Sequence, residues 1–506
     1  MDKFATLSMC VLLLGFTGCL KTELTDREAW LVHTLTQDNE DLIRRNAALV
    51  EQKYAKMASS AYAYFRATQA QFVRDHTEYT SLPYPTSFGS TASSRVVILG
   101  DPHLENIGTY FVGNPHAGDP LELTLEFNDF DAATLGPYYL DVRRMAVSFF
   151  VALQDLTAIA DNAVIVDQAT LQEVIQTFTE AYVSAIAGDA PENFRLGTAT
   201  SVTPFFADLL DSAEGDGLDR EELDDYTEIN GAGERVIKYS ACRTIEACEV
   251  PSTGFFDDTL VLPTRDEREM ITSLLKSYPA TPISPSVLSP SARVIKGISR
   301  RLGGGISSYP LKRYYVLIEG ATSSPSDDIL LELKEAREPF EIDGLVSKPR
   351  LWMDSPAERV VRMTRILQSF HDADPLLGWG ESKPMSFRVR DRIKFQKGFD
   401  IPDLRGPLRR ETASIAELMT FAQEVGKLLA AAHSRATLRG ISESPQASIK
   451  EALGTTESTI HPFTTEVVDF AMAYGERVLA DYQSFLSLLD TQGPLLGVSS
   501  ALWETP

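Results

Sequence analysis

Two apolar runs in this chain each end in acid: "VVILGDPHLENIG" (residues 96–108) and "LELTLEFNDFD" (residues 121–131). The first is aliphatic and bounded by glycine, as a buried strand is; the second alternates, as a half-buried strand does. Burying an unpaired charge is costly, so solvation alone does not put Asp101, Asn106, Asp129 and Asp131 at such ends. A metal ion or a phosphate does. The 506 residues are too many for one ordinary core and predict two lobes or two domains. Net charge −24 argues against nucleic acid and anionic membrane surfaces as main partners, while leaving room for a local basic pocket.

The N-terminus reads as a targeting segment. Lys3 precedes the thirteen-residue apolar run "FATLSMCVLLLGF". That is short of the roughly 20 residues needed to span a bilayer and suits a signal peptide over 1–18. Thr17 and Gly18 before Cys19 resemble the bacterial lipobox, with Phe16 where Leu is usual. The resemblance implies cleavage before Cys19 and lipid on its thiol. It places the chain on the bacterial cell envelope, facing the periplasm or exterior, with the lipid as its membrane contact. The alternative is an ordinary signal peptide with an incidental cysteine. Cys10 leaves with the signal, so Cys242 and Cys248 remain, and two close cysteines in an exported protein predict a small disulfide loop.

Residues 19–40 are polar and read as a tether, and 41–285 as mainly helical. The acidic stretch "DSAEGDGLDREELDDYTE" fails the register of a calcium loop and reads as a solvated loop. "YPATPISPSVLSPSA" marks a boundary near residue 285. Residues 286–400 turn to strands: "ARVIKGISRR", "LKRYYVLIEG", "DILLELKEA" and later "MSFRVRDRIKFQKG". Between them "SPAERVVRMTRILQSF" is a helix with Ser355 as N-cap, Pro356 in the first turn and Glu358 completing a capping box. Long helices fill 401–506.

Asp101 and Asn106 have four residues between them. This D-x-x-x-x-N spacing resembles the catalytic loop of protein kinases, where Asp is the base and Asn holds Mg²⁺. A neighbouring strand must then deliver a further carboxylate. Asp129 fills that role, with Asp131 assisting; such hard oxygen donors suit Mg²⁺. The other half of a kinase site is a glycine-rich hairpin followed by a strand Lys. Gly303, Gly304 and Gly305, then Lys334, supply both in order, and Glu358 on the next helix is placed to pair with Lys334. Each piece also has a plain reading: a turn, a strand-end lysine, a helix cap. Trp352 and Trp379 are expected in the core or at an interface.

The glycines and Lys334 come about two hundred residues after Asp101, the reverse of the kinase order. That requires a circular permutation. "EVGKLLAAAHSRA" resembles the helix that runs into the catalytic loop of aminoglycoside phosphotransferases, so His433 is expected near Asp101, and Asp141 is expected to hold the loop as an acceptor. "GDPHLENIG", "FNDFDAATLGP", "GGGISS", "LELKEA" and "LLAAAHSRA" together resemble domain of unknown function 2252 over residues 50 to 440, with Ala67 departing from its F-x-R-G pattern. The resemblances imply an α+β, circularly permuted kinase-like fold with a helical lobe (41–285), a small β lobe (286–400) and C-terminal helices (401–506) completing the large lobe. They imply Mg²⁺ and ATP or another nucleotide as cofactors and a small-molecule or protein acceptor. A kinase-like scaffold without turnover, or a transferase with a donor other than ATP, stays open. "GDPH" also resembles a metallophosphoesterase motif, but none of the seven His sits in the further motifs that two metals need. His103 is instead expected to brace the loop by a hydrogen bond.

Overall fold

The computed structural model describes residues 24–77, 85–89, 94–113, 119–157, 166–198, 200–219, 221–278, 281–282, 294–348, 353–370, 374–392, 395–454 and 457–498. The signal segment, Cys19, the boundary near residue 285 and Trp352 lie outside them.

The first element, α1 (Asp26–Met57), opens on a capping box between Thr25 and Glu28. The tether expected over 19–40 is therefore helical from Asp26 onward. The reason is burial. Leu31 and Leu35 enter the main core, and Arg27 pairs with Asp75 at 2.7 Å and Asp481 at 2.5 Å. After α2 (Ala61–Ala67) and α3 (Gln69–Asp75) come four short strands. They are β1 (Arg95–Ile98), β2 (Ile107–Phe111), β3 (Leu123–Phe127) and β4 (Thr134–Pro137). β1 pairs antiparallel with β4, and β2 with β3. These pairings make the chain leaving β1 and the chain leaving β3 turn at one place. The two acidic loops lie side by side, and Asn128 N donates to Asn106 O at 2.9 Å.

β4 runs directly into α4 (Tyr138–Thr157), in which every residue from Tyr138 to Leu153 is buried. Such a helix is the axis of a helical body. α5 (Gln168–Ala187) packs on it, followed by α6 (Pro204–Asp219) and α7 (Glu221–Tyr226). The acidic stretch expected as a loop is thus helical over 211–219 and 221–226, and Ala213 is drawn into the core.

The hairpin β5 (Thr227–Ile229) and β6 (Arg235–Ile237) leads to β7 (Thr259–Val261) and α8 (Arg265–Ser277). Then come β8 (Ile295–Leu302), β9 (Arg313–Ile318), β10 (Ile329–Ala336), α9 (Pro356–Leu367), β11 (Gly378–Ser382) and β12 (Met385–Asp391). One antiparallel sheet has the order β11-β12-β10-β9-β8-β7. It begins with β7, before the expected boundary. Strand alternation sends Tyr314, Val316, Leu331, Leu333, Phe387 and Val389 to one face, where Ile271 and Leu274 of α8 cover them. The opposite face sets a smaller apolar cluster of Tyr315, Leu317 and Leu330 beside the charged Arg313, Glu332, Lys334 and Arg388. The chain ends with α10 (Ile401–Arg409), α11 (Ile415–Arg435), α12 (Pro445–Leu453) and α13 (Glu457–Gln492), of which α11 packs on α5 and α13 on α4 and α5. The fold is α+β. Cys242 and Cys248 form a disulfide.

Candidate active site

The loop after β1 is held from below by α4. Asp141 Oδ2 accepts from Leu99 N at 2.7 Å, and its Oδ1 from Gly100 N at 3.0 Å. His433, near the end of α11, brings Nε2 to 3.0 Å from Asp141 Oδ2, while its Nδ1 lies 2.9 Å from Tyr182 OH. Asp141 and His433 are both buried, so the carboxylate exchanges hydration for hydrogen bonds. Gly100 has φ +79°, and a Cβ there would sit 2.2 Å from Ala132 O. Only glycine lets the two acidic loops touch. Asn106 Nδ2 donates to Asp101 O at 2.7 Å, which leaves the amide oxygen as the end a hard cation would take.

Asp101 projects from this loop to Arg144, whose Nε and Nη2 lie 2.9 and 2.8 Å from Oδ1. Arg144 itself stacks on Phe65, 3.9 Å from the ring centre. Burial pushes the Asp101 carboxyl up to about 6 against the pull of Arg144, and the Asp129 charge adds to the rise. It is a carboxyl poised near neutrality. His103 departs from expectation. Its buried Nδ1 has no hydrogen-bond partner, and burial holds the ring well below the usual histidine range. The bracing comes from Ser148 of α4, whose Oγ accepts from Leu104 N at 3.0 Å and meets Tyr62 OH at 2.8 Å.

Lys334 on β10 reaches the second acidic loop. Its Nζ lies 2.5 Å from Asp131 Oδ2 and 3.3 Å from Asp129 Oδ2. Asp131 N donates to Asp129 Oδ1 at 3.1 Å. Arg359 of α9 donates to the carbonyls of Asp131 and Ala133 at 2.7 and 2.6 Å, fixing the loop from its far side. Burial alone would raise the Asp129 carboxyl, but Lys334 and Arg388 outweigh it and hold the group well below the usual carboxylate range.

Glu358 does not join Lys334. Its Oε2 accepts from Asp354 N at 2.8 Å and its Oε1 from Arg362 Nε at 2.8 Å, while Ser355 Oγ caps the Glu358 N–H. The side chain bonds one residue before the N-cap, so the expected capping box is only half formed. The physical reason is twofold: open N–H groups at the start of α9 attract the carboxylate, and Lys334 already has two aspartates. The glycine turn after β8 is shared out in the same way. Gly303, at φ +97°, lies against Phe256 O, and its carbonyl accepts from Lys56 Nζ at 2.9 Å. Gly304 faces Arg313. Gly305 alone of the three lines the cleft that holds Asp101 and Asp129. Trp379 is partly buried against the core, with Arg362 and Arg365 over its ring.

Two cavities meet at Asp129 and Arg313. The larger, about 430 Å³, holds Asp101, His103, Asn106 and Asp131 and is closed by Gly305 and by Asn39 and Lys53 of α1. The smaller, about 190 Å³, lies behind Lys334 and is lined by Arg388, Arg390, Arg392 and Lys397. Sequence reasoning passed over these arginines and Arg144. The signals exist. "FRVRDR" puts Arg388, Arg390 and Arg392 at alternate positions of a strand, hence on one face. Arg144 stands three residues after Asp141, hence on the same side of its helix.

Residues 45–488 match the family described as "Uncharacterized protein conserved in bacteria (DUF2252)". The chain belongs to the DUF2252 family. The match takes in both acidic loops, the glycine turn, Lys334 and His433, and runs past residue 440 into α13. No curated protein and no solved structure matches. In this cleft, Asp129, Asp131 and the Asn106 oxygen are the groups that could hold a cation. Among the described residues no group of three or more His, Cys, Asp or Glu is gathered for a metal ion. The donor set suits Mg²⁺ that keeps several waters and takes its remaining ligands from phosphates, rather than a closed protein cage.

Proposed function

We propose that this DUF2252 protein is an exported, lipid-anchored phosphotransferase whose site is kinase-like in circularly permuted order. The observation that carries the reading is Lys334. It is 3% exposed, fixed between Asp129 and Asp131, and lines the smaller cavity, which meets the cavity of Asp101 at Asp129. Phosphoryl transfer is nearly all positioning and charge neutralisation, so its charged parts must converge in this way. The acceptor hydroxyl occupies the larger cavity and gives its proton to Asp101 as its oxygen bonds to phosphorus. The bond to the leaving phosphate oxygen breaks, and that oxygen keeps the electron pair beside Lys334. Asn106 and Asp129, with Asp131, would hold Mg²⁺, which when bound neutralises charge on the phosphates. The disulfide between Cys242 and Cys248 supports an oxidising compartment and hence export through the segment ending at Cys19.

One observation favours a second reading, a binding scaffold without turnover: Asp101 already accepts from Arg144. The test is incubation of the full chain with Mg²⁺, ATP or tripolyphosphate and mixed hydroxyl acceptors, followed by phosphorus NMR. Metal-dependent donor consumption, lost in Asp101→Asn and Asp129→Asn, is expected. An unchanged donor together with a nucleotide-induced rise in melting temperature would give the scaffold reading the better claim.

A further inference from the structure

The small cavity behind Lys334 is strongly basic in an acidic chain. The chain carries a net charge of −24, yet Arg313, Lys334, Arg388, Arg390, Arg392 and Lys397 line this one space, where Asp129 is the one carboxylate among the described lining residues. The sheet register forces part of this. Lys334 stands directly opposite Arg313 on β9 and Arg388 on β12, which makes a row of three cations across three strands. Like charges directly opposite one another destabilise a sheet. Counter-charges answer only part of the row. Asp129 and Asp131 hold Lys334, and Glu332 takes Arg388 at 2.9 Å and Arg390 at 3.1 Å. Among the described residues Arg313 makes no ion pair: its Nη2 donates to Ser308 Oγ at 3.0 Å, and its Nε has no partner.

A second observation points to a ligand. Gln396 lines the cavity, is 8% exposed, and has neither its amide nitrogen nor its oxygen hydrogen-bonded. Arg388 Nε is also without a partner. Buried polar groups are satisfied in nearly all folded proteins; the Gln396 amide nitrogen and Arg388 Nε are donors that an acceptor-rich guest satisfies, while the Gln396 oxygen needs a donor such as water. Size narrows the guest. At about 190 Å³ the cavity falls below the roughly 300–1,000 Å³ of pockets that bury drug-sized ligands. Tyr110 is the one aromatic side chain among the described lining residues, and nothing opposes it to clasp a nucleobase.

We infer that this cavity seats an oligophosphate chain recognised through its phosphates alone, so that the phosphoryl donor at the adjoining site needs no nucleoside. The word donor rests on the phosphotransferase reading; the anion site does not. Inorganic polyphosphate and nucleoside triphosphates share this chemistry, and the test separates them. Calorimetric titration of the detergent-solubilised full chain, with chelator present, uses sodium tripolyphosphate, ATP and adenosine. Tripolyphosphate is expected to bind within about tenfold of ATP, and adenosine not at all. Arg390→Gln, with unchanged circular dichroism, is expected to weaken tripolyphosphate by about tenfold or more, the worth of one charge-assisted hydrogen bond. Lys397→Gln serves the same purpose if Arg390→Gln misfolds. ATP binding more than about tenfold tighter than tripolyphosphate, no tripolyphosphate binding, or unchanged affinity in a folded variant would each overturn the inference. Tripolyphosphate binding without any donor consumption would instead strike the phosphotransferase reading and leave the anion site standing.

Discussion

Replacing Lys334 with Met keeps the length and apolar stem of the side chain and removes one charge. At an effective dielectric of about 20, unit charges 2.5 and 3.3 Å apart attract by roughly 7 and 5 kcal/mol. Most of this is not net. Lys334 gave up its hydration on burial, and Arg313 and Arg388 repel it from both flanking strands. The Asp129 and Asp131 side chains are 39% and 30% exposed, so water screens them. Breaking a fully buried pair costs about 3–5 kcal/mol, and with these offsets Lys334→Met is expected to cost about 1–3 kcal/mol. The variant therefore folds. Its effect on turnover is larger, because a fixed cation on a transferring phosphoryl group is worth about 100- to 1,000-fold. Urea denaturation reads the first quantity, and Mg²⁺-dependent phosphate release from ATP or tripolyphosphate reads the second. A folded variant that keeps more than about a tenth of parental turnover would refute the clamp assigned to Lys334. A stability loss well beyond 5 kcal/mol would refute the account of the flanking arginines.

Three further outcomes are expected. The Asp101 carboxyl titrates near 6 in the fold, above its unfolded value of about 3.9. Its stability contribution is thus full below about pH 4 and lost as pH rises through about 6, whereas turnover needs the carboxylate and rises over the same window. Denaturation midpoints and rates from pH 4 to 7 check this, and a flat rate profile across about pH 5–7 counts against Asp101 as the base. Asp141→Asn must turn a donor toward Leu99 N, Gly100 N or His433, and is expected to cost about 3–5 kcal/mol; a loss under about 1 kcal/mol in guanidinium titration would remove Asp141 as the support of the loop. Cys19→Ser is expected to release the protein from the membrane fraction and abolish fatty-acid labelling, and unchanged fractionation would favour the ordinary signal peptide.

The parts of the site set by local pattern were legible in the sequence. Aliphatic runs ending in Asp101 and in Asp129 are strand signals, and the position of Lys334 on its strand follows from alternation in "DILLELKEA". Helix α9 and its cap at Ser355 could be read in the same way. What stayed hidden depends on partners distant in sequence. Glu358 has two acceptable roles in the sequence, and competition between Lys334 and the helix start decides between them in three dimensions. Residues 26–40 look polar because Arg27, Asp38 and Asn39 are polar, yet Arg27 finds Asp75 and Asp481 across the chain and is buried with them. The basic cavity joins residues of β9, β10 and β12 with the Arg392–Gly398 stretch. Only the register makes Arg313, Lys334 and Arg388 neighbours.

The proposed export and the basic cavity bear on each other. A phosphotransferase outside the cytoplasm meets little ATP, so a site demanding a nucleoside would stand empty there. A cavity that grips phosphates through six cations makes no such demand. The same chemistry explains why the cations tolerate one another. Carboxylates hold Lys334, Arg388 and Arg390 in place, so the row stands ready when a polyanion arrives. Binding then relieves repulsion along Arg313, Lys334 and Arg388 as well as forming new hydrogen bonds. A tripolyphosphate-bound protein should accordingly gain more stability at low salt than at high salt, since screening weakens both the repulsion and its relief. A site built on a nucleobase slot would gain stability nearly independently of salt.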